Sequence, residues 1–147
     1  MKIAFINPPA SVEENYGAMA SLAPILPQLG ISFLSSYLRK QGHDVDIHDF
    51  QVTSKAIVIE TCLNHDIIGF SCYITNFKAV SKMVAEIKKL NPAIVLIAGG
   101  PHVTLFPEDF KNMQVDYLVS GDGEIPIAEL LNSFARGNMD VNIKGVS

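Results

Sequence analysis

The hydrophobic positions of this chain fall into short apolar runs, separated by stretches with helical spacing. Ile94-Val95-Leu96-Ile97-Ala98 is unbroken and ends in Gly99-Gly100-Pro101-His102. A β-rich run without polar interruption predicts a strand covered on both faces, as in a parallel sheet inside an α/β layer fold. Ile3-Ala4-Phe5-Ile6, closed by Asn7-Pro8-Pro9, and Asp66-Ile67-Ile68-Gly69-Phe70-Ser71 predict two more strands, and Val115-Asp116-Tyr117-Leu118-Val119 predicts another. Asp44-Val45-Asp46-Ile47-His48-Asp49 alternates polar and apolar, the pattern of an edge strand.

Between these runs the period changes. Leu29, Phe33, Leu34, Tyr37 and Leu38 recur at three- and four-residue steps and predict a helix over 29–41, with Arg39 and Lys40 in its last turn and Gly42 beyond its end. A shorter helix is predicted over 53–63, with Thr53 or Ser54 as N-cap. Thr75 or Asn76 caps a third, whose apolar face is Phe77, Val80, Val84, Ile87 and Leu90 and which Pro92 stops. Residues 107–110 predict a helical turn, and 125–136 a last helix ended by Gly137. Residues 10–28 are long for a βα connection, which typically takes about 2–6 residues. Their Gly17, Pro24 and Pro27, set among apolar Tyr16, Met19 and Leu22, predict a lid or ligand contact, or else a packed Ω-like loop.

Five strands alternating with helices, without internal repeat, imply right-handed βαβ units in a three-layer doubly wound α/β domain. The second strand is the polar one and the first is wholly apolar. The expected architecture is therefore a five-stranded parallel sheet in the flavodoxin-like, Rossmann-like order 2-1-3-4-5.

Composition narrows the function classes. The net charge of −4 carries no nucleic-acid footprint. No apolar stretch reaches the roughly 18 residues of a membrane span. The chain starts at once on a strand, leaving no room for a signal peptide, and its two cysteines, Cys62 and Cys72, suit the reducing cytoplasm. There is no CxxC, no three-cysteine cluster and no HExxH, so neither a zinc nor an iron–sulfur site is expected within the chain.

Four segments share the rim formed by the carboxyl ends of the strands, where ligands bind in open α/β sheets. They are Asn7-Pro8-Pro9, Ser71-Cys72-Tyr73-Ile74-Thr75, Gly99-Gly100-Pro101-His102 and Gly121-Asp122-Gly123-Glu124. The rim is rich in Gly, Pro and hydroxyls and poor in catalytic pairs, which suits holding a large ligand by backbone and shape. Each segment also has a plain structural reading. Gly99-Gly100 can be a tight turn, Ser71 a strand end, and Asp122 and Glu124 companions of a helix dipole. His102 can be a ligand contact or a turn residue. Gly121-Asp122-Gly123-Glu124 is not a Walker loop, since no Gly-Lys-Ser/Thr follows, and no GxGxxG follows the first strand. His43 and His65 read as surface residues. Asp46-Ile47-His48 begins like Asp-x-His-x-x-Gly, but Gln51 stands where glycine belongs, and the motif lies on the second strand instead of after the first.

Taken together, Asn7-Pro8-Pro9, Leu29-Gly30-Ile31-Ser32-Phe33-Leu34, Gly42-His43-Asp44-Val45, Gly69-Phe70-Ser71, Gly99-Gly100-Pro101-His102-Val103-Thr104, Val115-Asp116-Tyr117 and Gly121-Asp122-Gly123-Glu124 resemble the N-terminal domain of cobalamin-dependent radical SAM enzymes. The resemblance implies a cobalamin-binding domain over 1–137, with 138–147 opening a linker toward a radical SAM barrel that this chain lacks. It implies that Ser71 meets the nucleotide tail of cobalamin and that Gly99 and Gly100 let the tail pass. Cys72, Tyr73, Thr75, Pro101, His102, Gly121, Asp122, Gly123 and Glu124 would border the same slot, with Asn7 and Pro8 beneath the corrin. The cobalt-ligating histidine of the wider fold is missing after the first strand, so base-off, His-off binding is implied. The parent enzyme would add a 4Fe-4S cluster and S-adenosylmethionine and carry out methyl transfer or related radical chemistry; this chain alone would not be catalytic. A flavodoxin-like FMN-binding or cofactor-free interaction domain is the alternative, which Asn7-Pro8-Pro9 disfavours in place of a phosphate-cradling loop. A stand-alone hydrolase finds no Ser-His-Asp set or carboxylate pair on the rim.

Overall fold

The computed structural model describes residues 1–9, 28–50, 64–139 and 142–147. The predicted helix over 53–63, with its caps, and the long connection over 10–27 lie outside the described residues. Five strands form one parallel sheet in the order β2-β1-β3-β4-β5. They are β1 (Lys2–Asn7), β2 (Asp44–Asp49), β3 (Ile67–Ser71), β4 (Val95–Gly99) and β5 (Tyr117–Val119). The described helices are α1 (Leu29–Lys40), α2 (Phe77–Leu90), the short α3 (Pro101–Leu105) and α4 (Glu124–Ala135), with a 3-10 turn at Pro107–Phe110. This is the expected doubly wound order.

Alternation along each strand divides the buried residues between two faces. Ala4, Ile6, Ile68, Phe70, Leu96 and Ala98 meet Val80, Val84 and Ile87 of α2 in one core. Ile3, Phe5, Ile67 and Ile97 meet Leu38 of α1 and Ile127, Leu130 and Leu131 of α4 in the other. Leu38, Leu130 and Leu131 are fully covered, and burying such a side chain favours folding by about 1.5–3 kcal/mol each. Both cores are needed because the central strands are apolar on both sides.

The helix ends follow their chemistry. Gly42 and Gly137 adopt positive φ just beyond α1 and α4, as glycines that close helices do. Asn76 precedes α2, but its side chain does not cap the helix. Its Oδ1 accepts from Tyr73 N–H at 2.8 Å and its Nδ2 donates to Ser71 O at 3.1 Å, so it fastens the turn leaving β3. Thr75 is exposed.

Two features were not expected. Pro101 starts a short helix where a plain turn was predicted. Residues after α4 fold back along β5: Leu118 and Ser147 exchange backbone hydrogen bonds, and Ser120 N–H donates to Gly145 O. Val146 thus pairs antiparallel to Val119 and covers an edge that would otherwise offer unpaired amides. β5 itself is shorter than predicted because Asp116 is a polar clamp. Its Oδ2 accepts from Leu96 N–H at 2.7 Å and from Lys88 Nζ at 2.8 Å.

Candidate functional site: a slot beneath two helices

The register of the parallel sheet sets small residues side by side. On the face toward α1 and α4, Phe5, Gly69, Ile97 and Tyr117 form one cross-strand row. Ser71, Gly99 and Val119 form the next row toward the carboxyl ends. Gly69, Ser71 and Gly99 leave a trench on the sheet surface, flanked by Phe5, Ile97 and Val119. A cavity of about 200 Å³ occupies that trench. Gly30, Ile31 and Leu34 of α1 and Ile127 of α4 roof it, and Gly121, Asp122, Gly123 and Glu124 border its mouth.

Glycine is required here for two different reasons. A Cβ on Gly69 would stand 2.5 Å from Cε1 of Phe5, so the aromatic ring lies over the space where a side chain would sit. Gly99 has no such clash, since a Cβ there would meet Val119 O at 3.4 Å and Val119 Cβ at 3.7 Å, ordinary contacts; its bareness widens the slot. Gly100 is a turn residue. Its φ is +105°, and a Cβ there would come within 2.8 Å of Cys72 O. Cys72 N–H donates to Gly99 O and His102 N–H to Cys72 O, which locks the two rim loops together. Thr104 Oγ1 accepts from Gly121 N–H at 2.9 Å and donates to Gly100 O at 3.1 Å, tying in the third loop. Tyr73 Oη donates to Gln28 Oε1 at 3.0 Å and joins the rim to the start of α1.

Nine of the residues singled out from sequence line the slot: Ser71, Tyr73, Gly99, Gly100 and Pro101, and the run Gly121, Asp122, Gly123 and Glu124. The others are held elsewhere. Cys72 follows Ser71 and so points to the opposite face, fully buried; burial pushes its thiol up to about 12. His102 is carried to that same face by α3. There its ring stacks on Phe77 at 4.7 Å, its Nε2 pairs with Asp109 Oδ2 at 2.9 Å, and its Nδ1 is buried without a partner. Asn7 is buried at the rim, its Nδ2 donating to Asp49 Oδ1 at 3.0 Å, beside a buried Pro8. Sequence reasoning missed Phe5, Gly69, Ile31, Leu34 and Ile127 as slot residues. Gly69 carried a signal, since a glycine interrupting an apolar strand marks close approach by another body.

The slot suits a flat, largely apolar group. It has the apolar lining, bare glycine floor and hydroxyl at one wall that a planar aromatic end with a polar tether needs, and it exceeds the cavity of about 150 Å³ that accepts a benzene ring. Among the described residues none of the four histidines lines it.

Comparison with known proteins agrees with this geometry. The sequence model of the B12 binding domain family matches residues 17–131. The chain is 31% identical, over 132 residues, to the cobalamin-dependent radical SAM methyltransferase TokK of Streptomyces tokunonensis, and 33% identical over the same length to the 2-(S-pantetheinyl)-carbapenam-3-carboxylate methyltransferase of Streptantibioticus cattleyicolor. Each alignment covers 84% of this chain but 19% of the relative, so the chain spans about a fifth of their length. The N-terminal domain of a hypothetical protein of Thermotoga maritima shares the fold, with a TM-score of 0.51 and 26% identity over 75% of this chain and 92% of that one. The matched residues take in α1, the β3 and β4 trench and most of α4, and the chain belongs to the B12-binding domain family.

Proposed function

We propose that the slot between the sheet and helices α1 and α4 receives the nucleotide tail of cobalamin. The observation that carries this reading is the trench of Gly69, Ser71 and Gly99, roofed by Ile31, Leu34 and Ile127. Ser71 brings a hydroxyl to the wall, where it can bond a ring nitrogen or the tether. Phe5 and Ile97 offer apolar surface to the flat ring. The rim, tied together through Thr104 and Tyr73, is prepared to meet the corrin, with Asn7 and Pro8 at its edge. Bound cobalamin would supply a cobalt centre able to carry a methyl group. Base-off, His-off binding is supported by the slot's taking the base and by His102 being paired to Asp109 on the far face.

In the parent protein this chain would act as the cobalamin module of a radical SAM enzyme, with residues 138–147 leading toward the domain that holds the 4Fe-4S cluster and S-adenosylmethionine. That parent's reaction would be methyl transfer or related radical chemistry, in the cytoplasm. Among the described residues no helix is long and apolar enough to cross a membrane.

The test is visible absorption after incubation with hydroxocobalamin and desalting. Retained corrin bands at near-stoichiometric amount, lost in Gly99→Val, are expected. The Gly99→Val backbone is unstrained, so the variant fills the trench without breaking the turn. A folded protein that elutes colourless, or a Gly99→Val variant that retains the bands, would refute the reading; retention of FMN instead would identify the domain as flavodoxin-like.

A further inference from the structure

On the other face of the sheet, at its polar edge, the structure gathers three metal-ligand side chains from distant parts of the sequence. Asp46 and His48 alternate along β2 in register with Ala4 and Ile6, which belong to the α2-side core and not to the slot. His65, 5% exposed, arrives from the turn that enters β3. Its Nε2 lies 2.8 Å from Asp46 Oδ2, a pair 19 residues apart in sequence. The His48 and His65 rings meet edge to face at 6.1 Å, and His48 Nε2 is buried with no hydrogen-bond partner. One ligand atom from each of the three residues lies within 4.8 Å of the others.

We propose that Asp46, His48 and His65 form a binding site for a divalent transition-metal ion of the zinc class. Two imidazoles and a carboxylate are the donors that Zn²⁺ takes, at about 2.0–2.2 Å. Around a common ion those bond lengths set donor atoms roughly 3.3 Å apart. The donor atoms would have to draw in from within 4.8 Å of one another, the ion taking the place of the hydrogen bond between His65 Nε2 and Asp46 Oδ2. The orphaned Nε2 of His48 then gains a partner, and a buried polar atom without one is costly. The Asp46 side chain is 45% exposed, so the fourth position opens toward solvent. The ion would clamp the edge strand β2 to the entry of β3 across β1. Sequence spacing hid the site, because its ligands meet only through the 2-1-3 strand order.

The site is separate from the cobalamin slot and is tested without cobalamin. The 147-residue protein, stripped with EDTA and desalted, is titrated with Zn²⁺ by calorimetry, and retained zinc is measured by elemental analysis. One ion per chain is expected. The affinity should fall at least about tenfold in His48→Ala and in Asp46→Asn, since even outer-shell losses cost 10–100-fold. At Zn²⁺ a hundredfold above its dissociation constant, the folded-to-unfolded ratio should rise about a hundredfold. His48→Gln, checked by circular dichroism, separates loss of a ligand from loss of fold. Absence of stoichiometric binding to the parent protein overturns the proposal, as does binding undiminished in folded His48→Gln and Asp46→Asn proteins, which would put the ion elsewhere.

Discussion

The ring of Phe5 lies over the bare Cα of Gly69, so close that a methyl group there would stand 2.5 Å from Cε1. The two are register partners on neighbouring strands, and the ring of one uses the side-chain space of the other. Gly69→Ala therefore pushes the ring off the sheet and into the slot. A loss of about 1–3 kcal/mol is expected for such overpacking, together with weakened cobalamin retention. Adding Phe5→Leu should recover much of the stability. A double-mutant cycle by urea denaturation would measure the coupling, and additive losses would count against the contact.

Asp116 joins α2 to β4. Its carboxylate serves Leu96 N–H and Lys88 Nζ, and Lys88 also donates to Ile94 O at 2.8 Å. Asp116→Ala should cost about 1–3 kcal/mol, because a buried amide loses its acceptor. Asp116→Asn, which keeps an acceptor but not the charge, should cost less. Chemical denaturation of both variants decides it; equal losses would mean that the ion pair outweighs the amide.

Cys72 should be inert while the chain is folded. The thiolate is the reactive form, and burial holds the thiol up to about 12. In a Cys62→Ser background, iodoacetamide labelling at pH 8 should be slow and should accelerate with denaturant along the unfolding curve. Fast native labelling would show that the α2-side core opens locally.

The residues after α4 seal the β5 edge. Removing 143–147 exposes amides of Leu118 and Ser120 that now bond Ser147 and Gly145 and uncovers the part of the core against which Ile143 and Val146 pack. The shortened chain should melt about 3–8 °C lower and self-associate more readily. Light scattering beside a thermal melt tests both.

Much of this was legible in the sequence because parallel strands announce themselves as apolar runs, and the polar β2 placed itself at an edge. The rim segments were legible as well, since glycines end strands where backbones must approach. What escaped was anything decided by facing direction or by long-range pairing. Ser71 and Cys72 are neighbours, yet alternation sends one into the slot and the other into the far core. The family resemblance puts His102 at the slot, but Pro101 begins a helix that turns it toward Phe77. His65 read as a surface residue and is buried against Asp46. Phe5 and Gly69 were each visible as strand residues, but only the β1–β3 register brings them together.

The most direct test of the account compares cobalamin with cobinamide, which carries the corrin but not the nucleotide tail. Both are titrated into the protein and followed by corrin absorption. If the slot of Gly69, Ser71 and Gly99 holds the tail, cobalamin binds at least about tenfold more tightly, equivalent to about 1.4 kcal/mol, and Gly99→Val removes that difference. Equal affinity for the two corrinoids would contradict the account, because recognition would then rest on the rim alone.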